Sequence, residues 1–238
     1  MIKAVIFDLD NTLINFTKIK KNSVSAAVNS MRSAGLRLSQ AKAEKIMYEL
    51  YDKYGIEYSK IFQKFISKIR GKVDYKILAA GIVAYRKVQA GILEPYPKVF
   101  PLLVKLKEKG LKLAVVSDAL RLKAWIRLTE LGIGDFFDTV IAYGDVKKRK
   151  PSRVPFDKAL EKLGVRPSEA LMVGDNLTRD IAGAEKIGIK TCFARYGLQR
   201  VVIGDYKKDS LKKSRKIIKA DYTINKFEDL AKIFGIKL

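Results

Sequence analysis

Short apolar runs alternate with stretches of helical spacing through most of the chain. The first run, residues 3–7, contains β-branched and aromatic side chains and stops at a polar loop, which is typical of a buried strand. The same pattern predicts further strands at 111–116, 139–142, 170–173 and 191–194, and helices at 98–109, 120–131, 155–163 and 178–187. Repeated strand–helix units predict an α/β fold in which helices cover both faces of a parallel sheet.

The segment from about Ile14 to Leu93 departs from this alternation because it shows only helical spacing. Within it, Ser23 and Ser39 are predicted helix N-caps, since a serine hydroxyl accepts a hydrogen bond from the first turn. Pro95 and Pro97 end the segment, because neither fits inside a helix. The pattern therefore predicts two domains: an α/β core from residues 1–14 and 95–238, and a smaller helical domain from residues 15–94.

The composition removes several kinds of chemistry. The chain has 238 residues with no histidine and a single cysteine, Cys192. Catalytic triads, Cys-His pairs and HExxH zinc sites need an imidazole, and disulfide frameworks or cysteine-rich metal sites need several thiols. Acid–base chemistry must therefore depend on carboxylates, lysine, tyrosine or water. The scarcity of cysteine favours a reducing, cytoplasmic location.

Basic residues outnumber acidic ones by 48 to 25, which gives a formal net charge of +23. Such a charge attracts nucleic acid, anionic membrane surfaces and phosphorylated small molecules. The densest basic stretches are 147–150 and 207–219, and charge runs of this kind are usually solvated surface. No apolar run is long enough to predict a membrane span. The lysine-rich composition also fits a heat-adapted protein, for which we expect a melting midpoint above about 60 °C.

Polar residues occur directly after several predicted strands or in the loops that follow them. The carboxyl ends of parallel strands meet at one edge of the sheet, so these residues are expected to lie near each other. In chain order they are Asp8, Asp10, Ser117, Asp118, Lys150, Asp175 and Asp180. Clustered carboxylates repel each other unless a cation lies between them, and oxygen ligands suit Mg²⁺. A hydroxyl and a lysine beside that cation make a pocket for a phosphoryl group.

These residues occur in four ordered motifs, which are VIFDLDNTL at 5–13, VVSD at 115–118, KP at 150–151 and VGDNLTRD at 173–180. In these motifs the chain resembles the haloacid dehalogenase superfamily of hydrolases. The resemblance implies a Rossmann-like parallel sheet core with helices on both faces. It also implies that the helical segment between the first and second motifs is a cap domain.

The resemblance implies a role for each motif residue. Asp8 would be the nucleophile that forms an aspartyl-phosphate, and Asp10 the general acid and base. Ser117 would bind a phosphoryl oxygen, and Lys150 would stabilise Asp8 and the charge of the transferring group. Asp118, where relatives often carry Asn, belongs with Ser117 and Lys150 to the predicted phosphate-binding set.

The resemblance also implies a Mg²⁺ cofactor. Asp8, the backbone carbonyl of Asp10 and Asp175 would hold the ion, with Asp180 either ligating it directly or orienting the ligands. Asp10 further separates reactions within the family. A phosphate ester needs a proton for its leaving oxygen, whereas a departing halide needs none, so Asp10 disfavours a 2-haloacid dehalogenase.

Cap residues set substrate specificity in this family, but no cap motif here matches one subfamily. Lys18, Lys20, Tyr85 and Arg86 are candidates, although charged and aromatic helix positions are usually surface or packing residues.

Together these features predict a Mg²⁺-dependent phosphatase that hydrolyses small soluble phosphomonoesters, such as sugar or short-chain organic phosphates, through an aspartyl-phosphate. The alternative is a phosphosugar mutase of the β-phosphoglucomutase type, which uses the same two aspartates. A catalytically inactive nucleic-acid-binding protein is disfavoured, because charge alone is a weak indicator. The expected partner is a small phosphorylated metabolite, and the sequence leaves both a monomer and a homodimer open.

Overall fold

A computed structural model describes residues 1–198 and 218–238. The described residues form two compact units. The helical unit is Phe16–Leu93, and the core unit contains residues 1–15, 94–198 and 218–238. The basic stretch 207–219 lies outside the described residues, apart from its last two positions. Among the helices of the described chain, none has the length and apolar character needed to cross a bilayer.

The core unit contains a parallel sheet of six strands. They are β1 (Ala4–Phe7), β2 (Lys112–Val116), β3 (Thr139–Ile141), β4 (Ala170–Gly174), β5 (Lys190–Ala194) and β6 (Tyr222–Ile224). The order across the sheet is β3-β2-β1-β4-β5-β6 and all neighbours are parallel, which confirms the predicted α/β fold. Strand β6 was not predicted, because only one of its three residues is buried and it forms no apolar run.

Both faces of the sheet are apolar, as expected for parallel strands covered on two sides. Val5 and Phe7 on β1 belong to one hydrophobic cluster, and Ala4 and Ile6 belong to another. Because side chains alternate along a strand, the two clusters lie on opposite faces. The polar residues that directly follow the central strands, Asp8, Ser117 and Asp175, are buried as well.

The helical unit contains four helices: α1 (Phe16–Ser33), α2 (Gln40–Tyr54), α3 (Ile61–Arg70) and α4 (Tyr75–Ile92). The predicted N-cap at Ser39 is confirmed, since its side chain accepts a hydrogen bond from the amide of Lys42. The predicted N-cap at Ser23 is wrong. Helix α1 begins at Phe16, seven residues before Ser23. Ser23 therefore lies inside the helix, fully buried on the same apolar face as Ile19 and Val24.

The helices of the core unit are α5 (Val99–Glu108), α6 (Arg121–Glu130), α7 (Tyr143–Val146), α8 (Arg153–Leu163), α9 (Ala182–Glu185) and α10 (Leu230–Ile233). The single helix predicted over 178–187 is instead two short elements in the structure. A π-helical turn, Leu177–Ile181, precedes the short α9. Asn176 caps this wide turn by accepting hydrogen bonds from the amides of Thr178 and Arg179. Turns of this kind are frequent at functional sites, and here the turn contains Asp180.

Candidate active site

The carboxyl edge of the sheet gathers residues from three strands. Asp8 follows β1, Ser117 follows β2 and Asp175 follows β4. The last residue of β1 is in register with Val115 of β2 and Val173 of β4. The three strands therefore end at nearly the same level, which brings residues distant in sequence to one edge of the sheet.

Lys150 lies at the centre of this edge with its side chain almost completely buried. Its Nζ lies 2.6 Å from Oδ1 of Asp8 and 2.7 Å from Oδ1 of Asp180. It also donates a hydrogen bond to the carbonyl of Val116 at 2.8 Å. An ammonium group has three donors, so one lysine joins groups from β1, β2 and the turn after β4.

The buried charges of this cluster do not balance. Burial raises the pKa of Asp8 to about 7, with Lys150 opposing the increase and Asp180 adding to it. Burial, followed by the charge of Asp8, raises the pKa of Asp175 well above its usual range. Burial tends to lower the pKa of Lys150, but the charges of Asp180 and Asp8 raise it above its ordinary value. Lys150 therefore stays protonated at neutral pH and pairs directly with Asp8 and Asp180, while the charges of Arg179 and Lys150 only partly oppose the increase at Asp175.

The same carboxylates fit a metal ion. One oxygen each from Asp8, Asp175 and Asp180 lie within 4.8 Å of one another. Carboxylate oxygens are hard ligands, which suit Mg²⁺ rather than zinc or copper. A divalent cation would also balance the excess negative charge that contributes to the raised pKa of Asp8 and Asp175.

Two glycines allow the carboxylates to pack this closely. A Cβ on Gly174 would come within 2.5 Å of the Cβ of Asp180. A Cβ on Gly197 would overlap the carbonyl oxygen of Asn11 and lie 2.6 Å from the Cβ of Asp175. The loop after β5 therefore packs directly on the loops after β1 and β4. The sequence does not indicate the role of Gly197, because it does not show which loops meet.

Asp10 faces a different cation. Its Oδ2 accepts a hydrogen bond from Nη1 of Arg127 at 2.9 Å. Arg127 lies on α6 and is 5% exposed. None of the sequence motifs contains Arg127. A signal in the sequence exists nevertheless, because Arg127 is a charged residue in the apolar stripe that contains Ala124 and Leu128.

Protein groups occupy both oxygens of Asp118. Oδ1 accepts a hydrogen bond from the backbone amide of Lys150 at 2.9 Å, and Oδ2 lies 3.4 Å from Nη1 of Arg179. The neighbouring Ser117 accepts a hydrogen bond from the amide of Ala119 at 3.2 Å. A hydroxyl that accepts in this way can still donate its own proton to a phosphoryl oxygen.

Two of the specificity candidates meet inside the helical unit. Lys20 donates a hydrogen bond to the hydroxyl of Tyr85 at 3.1 Å, and its Nζ lies 4.2 Å from the centre of the Tyr51 ring. Aromatic faces attract a cation, so this pocket stabilises a buried lysine within the unit. Lys18 and Arg86, in contrast, are exposed.

A parallel sheet with this aspartate–lysine cluster at its carboxyl edge defines a class of hydrolase. The haloacid dehalogenase-like hydrolases match residues 5–194 of the chain. The chain belongs to this family.

Relatives match along almost the whole chain. The glyceraldehyde 3-phosphate phosphatase of Methanocaldococcus jannaschii is 35% identical over 98% of this chain and 97% of that protein. The pyrophosphatase PpaX of Halalkalibacterium halodurans is 29% identical over 99% of this chain and 98% of that protein. The crystal structure of a HAD phosphatase from Thermococcus onnurineus is 27% identical, with a TM-score of 0.66, and each chain is covered to 98%.

Proposed function

We propose that this protein is a Mg²⁺-dependent phosphatase that hydrolyses small soluble phosphomonoesters through an aspartyl-phosphate. The observation that carries the proposal is the 2.6 Å contact between Lys150 Nζ and Asp8 Oδ1. A carboxylate that attacks an anionic phosphate needs a positive charge beside it, and Lys150 supplies that charge. Full-length relatives that are named phosphatases support the same reaction class.

In the first half of the reaction, an oxygen of Asp8 attacks phosphorus and the bond to the leaving oxygen breaks. Asp10 gives a proton to the leaving oxygen, so the alcohol departs uncharged. Ser117 donates a hydrogen bond to a phosphoryl oxygen, while Lys150 stabilises the negative charge of the transferring group. The products are a free alcohol and a phosphorylated Asp8.

In the second half, water attacks the phosphorus of the aspartyl-phosphate. Asp10, which has just lost its proton, takes one from this water. Asp8 leaves as a carboxylate and inorganic phosphate is released. One ester and one water have then given one alcohol and one phosphate, with both aspartates restored.

Asp8, the backbone carbonyl of Asp10 and Asp175 are proposed to hold the Mg²⁺ ion. When bound, the ion supplies positive charge that offsets repulsion between the phosphate and the carboxylates. We assign Asp180 an orienting role, because its Oδ2 accepts a backbone amide hydrogen bond at 3.0 Å and its Oδ1 pairs with Lys150. The fourth motif left two roles open for Asp180, direct ligation of the ion and orientation of the ligands, and we propose the second.

Asp118 fits a positioning role better than direct contact with phosphate. Its carboxylate holds the backbone amide of Lys150, which fixes the loop that carries the lysine. Both of its oxygens already have protein partners, the amide of Lys150 and the guanidinium of Arg179, and a carboxylate in direct contact with a phosphate would repel it.

We further propose that residues 1–14 and 95–238 form the catalytic core domain and residues 15–94 the cap domain. The residues assigned to the chemistry all belong to the core unit. Within the helical unit, Lys20 is buried beside Tyr51 and Tyr85.

We propose glyceraldehyde 3-phosphate as the first candidate substrate, because the relative from Methanocaldococcus jannaschii is named for its hydrolysis. Its leaving group is an alkoxide, which requires the proton that Asp10 is proposed to supply. Pyrophosphate is a second candidate, because the PpaX relative is named for its hydrolysis.

The test is phosphate release from glyceraldehyde 3-phosphate, a hexose phosphate, pyrophosphate and p-nitrophenyl phosphate. Each is assayed with Mg²⁺ and with EDTA for wild type, Asp8→Asn and Glu169→Gln, the last as a control at the opposite edge of the sheet. We expect Mg²⁺-dependent release that is fastest for glyceraldehyde 3-phosphate, is lost in Asp8→Asn and is retained in Glu169→Gln.

Other outcomes point elsewhere. If pyrophosphate is hydrolysed fastest, the substrate class is a phosphoanhydride rather than a phosphomonoester. An isomerised hexose phosphate without phosphate release would identify a mutase. A folded, Mg²⁺-supplied protein that turns over none of these compounds would overturn the proposal.

A further inference from the structure

Helix α6 buries one charged side chain, that of Arg127. The other buried side chains of this helix are Ala124 and Leu128, whereas its remaining basic residues, Arg121 and Lys123, are exposed. A buried guanidinium loses the water that solvates it, which is strongly unfavourable unless an anion replaces that water. The position of Arg127 on the apolar face therefore calls for a specific partner.

That partner is Asp10. Nη1 of Arg127 lies 2.9 Å from Oδ2 of Asp10, and the two side chains are only 6% and 11% exposed. A charge-assisted hydrogen bond between buried groups is strong and directional. It therefore fixes the rotation of the Asp10 carboxylate as well as its position.

We propose that Arg127 is a positioning residue that gives the two oxygens of Asp10 different tasks. Arg127 holds Oδ2, so the proton is exchanged at Oδ1. The proposal rests on the phosphatase function proposed above, and it adds a residue that none of the four motifs contains.

The chemistry balances in both halves of the reaction. First, the proton on Oδ1 passes to the leaving oxygen as the bond from Asp8 to phosphorus forms and the ester bond breaks. Then Oδ1 takes a proton from water as the water oxygen bonds to phosphorus and Asp8 is released. Oδ2 stays bound to Arg127 throughout.

A measurable consequence is a dependence on the leaving group. An alkoxide, as from glyceraldehyde 3-phosphate, needs a proton while its bond to phosphorus breaks. p-Nitrophenolate is a stable anion and leaves with little help from an acid. If Asp10 loses its orientation, alkyl esters should slow much more than the p-nitrophenyl ester.

The experiment compares kcat/KM for glyceraldehyde 3-phosphate and p-nitrophenyl phosphate, because this constant covers the steps up to release of the alcohol. In Arg127→Met, which keeps an unbranched chain but removes the charge, we expect an about 100-fold loss for the alkyl ester and less than about 3-fold for the p-nitrophenyl ester. Arg127→Lys keeps a cation without the guanidinium geometry, so we expect an intermediate loss of about 10-fold for the alkyl ester alone.

The matched control is Arg121→Met on the same helix, which removes an exposed ion pair with Asp145. It should leave the ratio of the two kcat/KM values unchanged. In an Asp10→Asn background no acid remains to be oriented, so Arg127→Met should not change the ratio further. Melting midpoints establish that each variant is folded.

Equal losses for both substrates would show that Arg127 only supports the fold and would overturn the proposal. A further change of the ratio in the Asp10→Asn background would overturn it as well. If Arg127→Met does not fold, an unchanged ratio in Arg127→Lys has the same meaning. Asp8-dependent turnover of p-nitrophenyl phosphate by wild type tests the phosphatase function separately, so failure of one proposal is distinguishable from failure of the other.

Discussion

The two edges of the parallel sheet carry ion pairs of opposite character. At the amino edge, Glu169 precedes β4, and hydrogen bonds from Arg166 and then Lys3 lower its pKa. The side chains of these two cations are 79% and 61% exposed. At the carboxyl edge Asp8 lies just as close to Lys150, at 2.6 Å. The pKa of Asp8 nevertheless rises to about 7, because its burial outweighs the lysine.

The difference shows that contact distance does not decide what an ion pair does. Where the cations reach water, a carboxylate gains a partner at little cost and its charged form is favoured. Where both partners are buried, the loss of water dominates at the carboxylate Asp8, and the excess negative charge favours binding of a further cation. The amino edge is therefore electrostatically satisfied, whereas the carboxyl edge is arranged to receive a ligand.

Removal of Asp8, the proposed nucleophile, should have the largest effect at the carboxyl edge. In Asp8→Asn we expect phosphate release to fall at least about 1,000-fold, because an amide does not replace a carboxylate nucleophile. Phosphate release from the ester substrate with Mg²⁺ measures this loss.

The stability of the same variant should depend on pH. Because the folded pKa of Asp8, about 7, lies above its unfolded value, the wild type loses stability as the pH rises from about 4 to about 7. Asp8→Asn lacks this loss. Thermal melts in EDTA should therefore favour the variant over wild type more at about pH 8 than at about pH 4. An identical difference at both pH values would contradict the burial argument.

Removal of the shared cation should give the next largest effect. Lys150→Met leaves Asp8 and Asp180 buried without it, so we expect a loss of about 3 kcal/mol in the free energy of unfolding. Mg²⁺ should restore part of this stability, because it supplies positive charge to the same carboxylates. Urea denaturation in EDTA and in MgCl₂ measures both effects. Lys3→Met at the amino edge is the control, with a change in melting midpoint within about 2 °C.

The close packing of three loops at the carboxyl edge gives a further test of the difference between the two edges. Gly197→Ala places a methyl group against the backbone of Asn11 and against Asp175. We expect a loss of about 2 kcal/mol and a weaker stabilisation by Mg²⁺, because the loops must separate. The control is Gly91→Ala in α4, where an added Cβ meets nothing within 4 Å. There we expect a gain of about 0.5 kcal/mol, and equal effects of the two substitutions would refute the packing argument.

Asp138, at the amino edge beside β3, should give the smallest effect and the opposite pH trend. Burial tends to raise its pKa, but hydrogen bonds from Lys107 and the amide of Leu113 lower it. Because the folded pKa lies below the unfolded value of about 4, this carboxylate stabilises the protein above about pH 4 and less as the pH falls further. Asp138→Asn should therefore cost at most about 1 kcal/mol at neutral pH, after allowance for solvent screening.

Urea denaturation at about pH 7 and about pH 3 measures this prediction, since the cost should shrink at the lower pH. A cost that grows on acidification would show that burial decides the pKa of Asp138 as well, and the contrast between the two edges would fail.

Much of the core unit was predictable because its strands are buried on both faces. The apolar runs marked β1 through β5 within one or two residues, whereas β6, with Tyr222 and Thr223 exposed, left no such run. Helix starts were less predictable. Ser23 and Ser39 have the same side chain, yet only Ser39 caps a helix, because the neighbouring residues decide where a helix begins.

The motif spacing placed aspartates after β1 and β4, and parallel register then brings Asp8 and Asp175 to one edge. The spacing did not show that Asp180 would be turned inward by a π-helical turn. It also did not show that Asp10 pairs with a cation 117 positions away. Such contacts depend on how helices pack on the sheet, which a local pattern does not encode.

By itself, then, the sequence determined the α/β alternation, the order of the four motifs and the absence of imidazole chemistry, because these depend on residue type and short-range spacing. Only the tertiary structure decided which cation meets which carboxylate, with Lys150 on Asp8 and Asp180 and Arg127 on Asp10. It also decided whether burial or a neighbouring group sets the direction of a pKa shift. Burial sets it for Asp8 and Asp175, whereas the contacting partners set it for Lys150, Glu169 and Asp138. The physical reason is that desolvation is a property of the whole packed chain, and no segment of the sequence contains it alone.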